Sequence, residues 1–105
     1  SFTINNIFFD FDSDILKIES TTELNRLSKF LKDNNIRSLE VIGHTDKVGS
    51  KEYNYNLSLR RAKAVQKYLL EKDNKLQIAT IGKGDDEPID SADDAKNRRV
   101  EIIVK

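Results

Sequence analysis

The stretch LSLRRAKAVQKY, residues 57–68, decides how the chain folds. Projected at about 100° per residue, Tyr53, Leu57, Ala64, Val65, Tyr68 and Leu69 fall on one side of a helix. Arg61 points with that apolar set, and so does Asn54. A guanidinium buried without an anion is too costly to keep. This face must therefore bring a carboxylate or phosphate to Arg61, or open it to a wet cleft.

Working outward, Ser50 is placed to cap this helix, Glu52 puts negative charge in its first turn, and the periodic face runs to about Lys72. Before it, SLEVIG (38–43) has the apolar, β-branched character of a short strand and runs into the polar loop HTDKVGS (44–50). Further upstream, STTELNRLSKFLKDNN (20–35) carries Leu24, Leu27, Phe30 and Leu31 at helical spacing, with Ser20 and Glu23 in the pattern of a capping box. FTINNIFF (2–9) is β-rich and ends in the loop signal DFDSD (10–14). Downstream, LQIATIG (76–82) reads as a strand, residues 83–96 as a loop with room for one helical turn, and RRVEIIV (98–104) as a closing strand. The order βαβαβ(loop)β predicts an α+β fold. Each β-helix-β passage favours parallel pairing through a right-handed crossover, with both long helices packed on one sheet.

At 105 residues the chain suits a single domain, 1–105. Eighteen basic and eighteen acidic side chains cancel, so the positive excess of a nucleic-acid binder is missing. Cysteine is absent, which excludes disulfides, thiolate nucleophiles and cysteine metal sites. No apolar run approaches the roughly 20 residues of a membrane span. The sequence starts at Ser1 and reads as a domain cut from a longer chain, so any membrane attachment is expected in a parent region outside it.

Three segments then fall together: GHTD (43–46), LSLRRA (57–62) and NRRVEI (97–102), preceded by FFDFDS (8–13). In this order and spacing they closely resemble the OmpA-like domain, the peptidoglycan-binding module of outer-membrane, lipoprotein and flagellar-stator proteins. The resemblance covers essentially the whole chain. It implies a two-layer sandwich: a mixed four-stranded sheet with two long helices on one face, the last strand antiparallel between the first and second. It also implies non-covalent binding of the meso-diaminopimelate in the peptide stem, which anchors the parent protein to the cell wall at the periplasmic face of a Gram-negative outer membrane. Peptidoglycan is then the partner, no cofactor or metal is required, and a monomer is expected.

The family's ligand end is a zwitterion, gripped by the GHTD aspartate and the second arginine of the RR pair, here Asp46 and Arg61. An ammonium beside a carboxylate needs one fixed anion and one planar cation a few ångströms apart. Asp46 is expected to hold the amine and Arg61 the carboxylate. Asn54 and Leu57, seven and four residues before Arg61, share its helix face and would line the site with Thr45. Asp12 matches a family position at the ligand rim, although an aspartate after a strand also serves as a turn former. Arg98 and Arg99 are placed outside the site. His44 reads as a hydrogen-bonding structural residue.

Two departures from the family stand out. Val48 replaces a common hydroxyl residue, and the segment from Pro88 to Asn97 is short, acidic and without the arginine often found there.

Several alternatives stand beside this. Asp46 and Arg61 could form an internal ion pair. A hydrolase would need His44, Asp46 and Ser58 to act together, yet no nucleophile-elbow motif is present. A protein–protein interaction or dimerisation module of a cell-envelope protein is the remaining class. The ligand reading further expects that Arg61→Leu leaves the stability of the free domain nearly unchanged, because an empty site would keep its charges hydrated.

Overall fold

A computed structural model describes residues 2–105. The elements run β1 (Phe2–Phe8), α1 (Ile18–Asp33), β2 (Ser38–Gly43), α2 (Lys51–Lys72), β3 (Gln77–Gly82), the single turn α3 (Asp94–Asn97) and β4 (Arg99–Val104). The four strands form one sheet in the order β1-β4-β2-β3. β2 and β3 are parallel, as the crossover through α2 requires, while β4 runs antiparallel to both β1 and β2. This is the open mixed sheet that the resemblance implies. Consecutive pairing alone would have put β1 beside β2.

Alternation decides which face of the sheet is buried. Val100, Ile102 and Val104 of β4 and Leu39 and Val41 of β2 point into the core, where Leu24, Leu27 and Leu31 of α1 and Ala62, Val65 and Leu69 of α2 meet them. On the opposite face, Glu40, Glu101 and Ile103 keep partial exposure. β1 joins with an irregular register between Ile4 and Ile7, which lets Ile7 turn into the core.

Helix α2 starts as its sequence predicts: the Ser50 hydroxyl accepts from the Tyr53 N–H at 3.1 Å. The capping box expected for α1 is not formed. That helix begins three residues earlier than a Ser20 cap would place it, at Ile18, behind an extended Lys17 with no side-chain cap. Ser20 lies inside the helix, and its buried hydroxyl donates to the Phe8 carbonyl at 3.3 Å, closing the junction between strand and helix. Glu23 pairs with Arg26 instead.

Helix and sheet come into close backbone contact at Gly43, the last residue of β2. A Cβ there would lie 1.8 Å from the Ser58 carbonyl oxygen of α2. Only glycine lets the helix rest directly on the strand end, and the loop that follows carries His44, Thr45 and Asp46. Gly43→Ala is therefore expected to destabilise the domain by about 3 kcal/mol, since backbone rather than a flexible side chain must move. Denaturant unfolding of the variant checks this.

Candidate functional site

The loop after β2 runs under the first turns of α2, and the segment between β1 and α1 faces it. Asn54, Leu57 and Arg61 lie three and four residues apart along the α2 surface that looks into the space between them. A cleft of about 380 Å³ results. Thr45, Asp46, Asn54, Leu57 and Arg61 form its inner wall, and Phe11, Asp12, Val48, Gly49 and Tyr53 its rim. All six residues singled out in the sequence line this one cleft.

Arg61 finds a solution the sequence reading did not weigh. Its guanidinium is 0% exposed and is held by neutral carbonyls: Nε donates to Ser13 O at 2.8 Å, Nη1 to His44 O at 3.0 Å and Nη2 to Asp10 O at 3.1 Å. The Phe9 ring lies 5.2 Å from its central carbon. Burial pushes its pKa down to about 10, opposed by the nearby Asp46, so it stays charged at neutral pH. Three of five N–H donors are used, leaving two on the terminal nitrogens.

Asp46 is 5% exposed, and its ion-pair partner is not Arg61. Oδ2 accepts from Arg98 Nη1 at 3.2 Å, and Oδ1 from the Val48 N–H at 3.0 Å. Arg98 in turn donates through Nε to Phe9 O at 3.0 Å. The internal Asp46–Arg61 salt bridge is thus not formed, and Arg98, set outside the site from sequence, holds its aspartate. The available signal was its place at the mouth of β4, one residue before Arg99 starts the strand.

Thr45 is fixed by its N–H to Gly84 O (2.8 Å), with its hydroxyl on Asp46 O (3.0 Å). Asn54 is 1% exposed, and its Nδ2 has no hydrogen-bond partner among the described residues. Asp12 adopts a left-handed φ of 54° and receives the Tyr53 hydroxyl, so a hydrogen bond spans the cleft rim. Tyr53 appeared in the sequence only as part of an apolar face; its hydroxyl gives it this second role.

His44 is 1% exposed, with Nε2 2.5 Å from Glu101 Oε1. Glu87 completes a group of three ligand-type side chains within 4.8 Å of one another. Among the described residues, two positive charges stand against them: Arg99, whose Nη2 lies 3.5 Å from Glu101 Oε1 and 3.3 Å from Glu87 O, and Lys83, whose Nζ lies 3.6 Å from Glu87 Oε2. Ser58 Oγ donates to Tyr55 O and accepts from the Gly84 N–H, while His44 is turned to Glu101, so the serine–histidine pairing of a hydrolase is not built.

Two outcomes follow from these contacts. The carbonyl cradle reverses the expectation for Arg61→Leu: three carbonyls lose a charged donor, and the free domain is expected to lose about 2–4 kcal/mol in denaturant melts. For His44, burial and then the Arg99 charge lower the pKa below its usual value, against the raising effect of Glu101. The unfolded chain therefore binds the proton more readily, so this contribution is fully present above the unfolded pKa of about 6.5 and is lost as pH falls below it. Between about pH 7.5 and 5.5 the wild type should lose more stability than His44→Gln, which has no proton to take up.

Comparison with known proteins agrees with the fold and the motifs. The peptidoglycan-associated lipoprotein of Pseudomonas putida is 39% identical over 104 residues, covering 94% of this chain and 62% of the relative. The chain thus spans about three fifths of the length of such relatives. The crystal structure of the peptidoglycan-associated lipoprotein from Burkholderia pseudomallei superposes with a TM-score of 0.83 at 29% identity, covering 94% of this chain and 88% of that one. The cell wall anchor of the T6SS from Pseudomonas aeruginosa gives 0.75 at 29% identity, covering 95% and 76%. These relatives are named for association with peptidoglycan and for anchoring to the cell wall. The OmpA family matches residues 8–101, and the chain belongs to it.

Proposed function

We propose that residues 1–105 form one domain that binds peptidoglycan without chemistry, by taking the free zwitterionic end of meso-diaminopimelate into the cleft. The observation that carries this reading is the arrangement of fixed opposite charges around one small cavity: a carboxylate held by Arg98, a guanidinium held by three carbonyls, and an unpartnered amide donor on Asn54. Asp46 receives the ammonium. The two N–H groups left on Arg61, with Asn54 Nδ2, receive the carboxylate. Leu57 packs on the aliphatic part of the side chain, and Thr45 keeps the aspartate's loop in place. Asp12 acts at the rim through its bond to Tyr53.

Because the protein itself orients both charges, little reorganisation is left for the ligand to drive, which favours affinity. Val48, half exposed at the rim, offers no hydroxyl there but does supply its backbone N–H to Asp46. The named associations of the relatives with peptidoglycan and the cell wall support the same partner. On this reading the domain works as a monomer at the periplasmic face of the outer membrane and anchors its parent protein. No described helix is long and apolar enough to cross a membrane, so attachment would come from elsewhere in that protein.

The test is ligand discrimination. Lysine-type stems keep the amine but lack the neighbouring carboxylate, so Arg61 and Asn54 go unanswered. Their binding should be weaker by about 2–5 kcal/mol than that of diaminopimelate-type stems. In an NMR titration with diaminopimelate, signals of Asp46, Asn54, Leu57 and Arg61 should shift together. Equal binding of both stem types, or shifts confined to α1, would sink the assignment.

A further inference from the structure

A second groove, of about 300 Å³, adjoins the cleft. Phe8, Phe9 and Ala95 give it an apolar floor, and Lys17, Lys96 and Arg98 surround it against a single acid, Asp10. Three of these residues also belong to the cleft's construction. The Asp10 carbonyl accepts from Arg61 Nη2, Arg98 Nη1 lies on Asp46, and the Phe9 ring lies against Arg61, so they form the wall between the two cavities. Nothing in the zwitterion model uses the groove.

We infer that the groove takes a second carboxylate of the same stem peptide, one residue away from the diaminopimelate. This deepens the function proposed above and rests on it. Charge complementarity within the lining argues for an anion: Lys17, Lys96 and Arg98 line the groove with Asp10 as its one carboxylate, while Glu19, Asp46 and Asp90, which also pair with these cations, stand outside the lining. Lys96 is 58% exposed and only 3.6 Å from Asp90, a pairing that a ligand can displace at little cost. The apolar floor argues for a short aliphatic group beside the anion. Continuity argues for the same ligand, because Arg98 lines the groove and holds Asp46, which lines the cleft.

The two sites are also coupled electrically. Arg98 is now balanced by Asp46. When an ammonium draws on Asp46, Arg98 is left with more uncompensated charge for an anion in the groove. Two neighbours of diaminopimelate in a stem fit this chemistry: glutamate with its free α-carboxylate, and a carboxy-terminal alanine with its methyl group. Both present a carboxylate on a small aliphatic carrier.

The test uses free diaminopimelate and a soluble disaccharide tetrapeptide, titrated into the wild type and into Lys17→Gln/Lys96→Gln. Neither lysine touches the cleft, so affinity for free diaminopimelate should be unchanged, while affinity for the tetrapeptide falls about three- to tenfold. Tetrapeptides with the glutamate carboxylate amidated, or with the carboxy terminus amidated, identify the source. The amide that matters should reproduce the loss in the wild type and add nothing in the double variant. The groove assignment is overturned if the double variant holds the tetrapeptide as tightly as the wild type, if it loses free diaminopimelate in parallel, or if neither amide weakens binding. If the wild type binds neither ligand, the cleft reading itself fails and the groove goes with it.

Discussion

The buried guanidinium of Arg61 is the contact on which the site depends. Taking a full charge out of water costs several kcal/mol, and no carboxylate among the described residues is in direct contact to offset it. The domain meets the cost with three backbone carbonyls, two from the segment between β1 and α1 and one from the loop after β2. One side chain on α2 thereby ties together three parts of the chain that are far apart in sequence. Because the pKa is lowered only to about 10, the arginine cannot escape its burial by losing its proton at neutral pH. The charge persists, and the surrounding backbone is organised around it.

A second chain of contacts does the same for the negative charge. Asp46 is oriented by the Val48 N–H and by Arg98, and Arg98 is itself steered by the Phe9 carbonyl. Phe9 therefore serves both signs: its carbonyl positions the arginine that holds Asp46, and its ring faces the guanidinium of Arg61. The end of β1 acts as the shared support for the site, although none of its side chains carries the charge that a ligand would meet. Gly43 plays the matching part on the other side. Its missing side chain lets α2 sit on the end of β2, which sets how far Arg61 is from the loop that carries Asp46.

Such a site separates affinity from hydration differently from one whose charges wait in water. Both ions have already been desolvated and oriented during folding, so the stability of the domain bears that cost and binding does not. Stability and recognition are then linked through the same residues. A substitution that removes one of them is felt in the fold as well as in the cleft, which is why discrimination between ligands is a cleaner probe of recognition than loss of a side chain.

Local signals determined much of this by themselves. The period of Leu57, Val65 and Leu69, the Ser50 cap and the alternation of Val100, Ile102 and Val104 identify α2 and β4 because helix and strand periodicity are short-range properties. The six residues of the cleft were named through the family resemblance carried by FFDFDS, GHTD and LSLRRA, and local periodicity added only that Asn54, Leu57 and Arg61 share one helix face. The start of α1 was misread because Ser20 fits a capping pattern locally, whereas its hydroxyl is used by Phe8, twelve residues away in the chain. The partners of the charges were hidden for the same reason. Arg61 calls for an acceptor in any sequence reading, but that Asp10, Ser13 and His44 supply carbonyls, and that Asp46 goes to Arg98, depends on where separate loops arrive after the sheet forms. Backbone carbonyls carry no signature in a sequence, since every residue has one; only the tertiary structure decides which of them point at a buried charge.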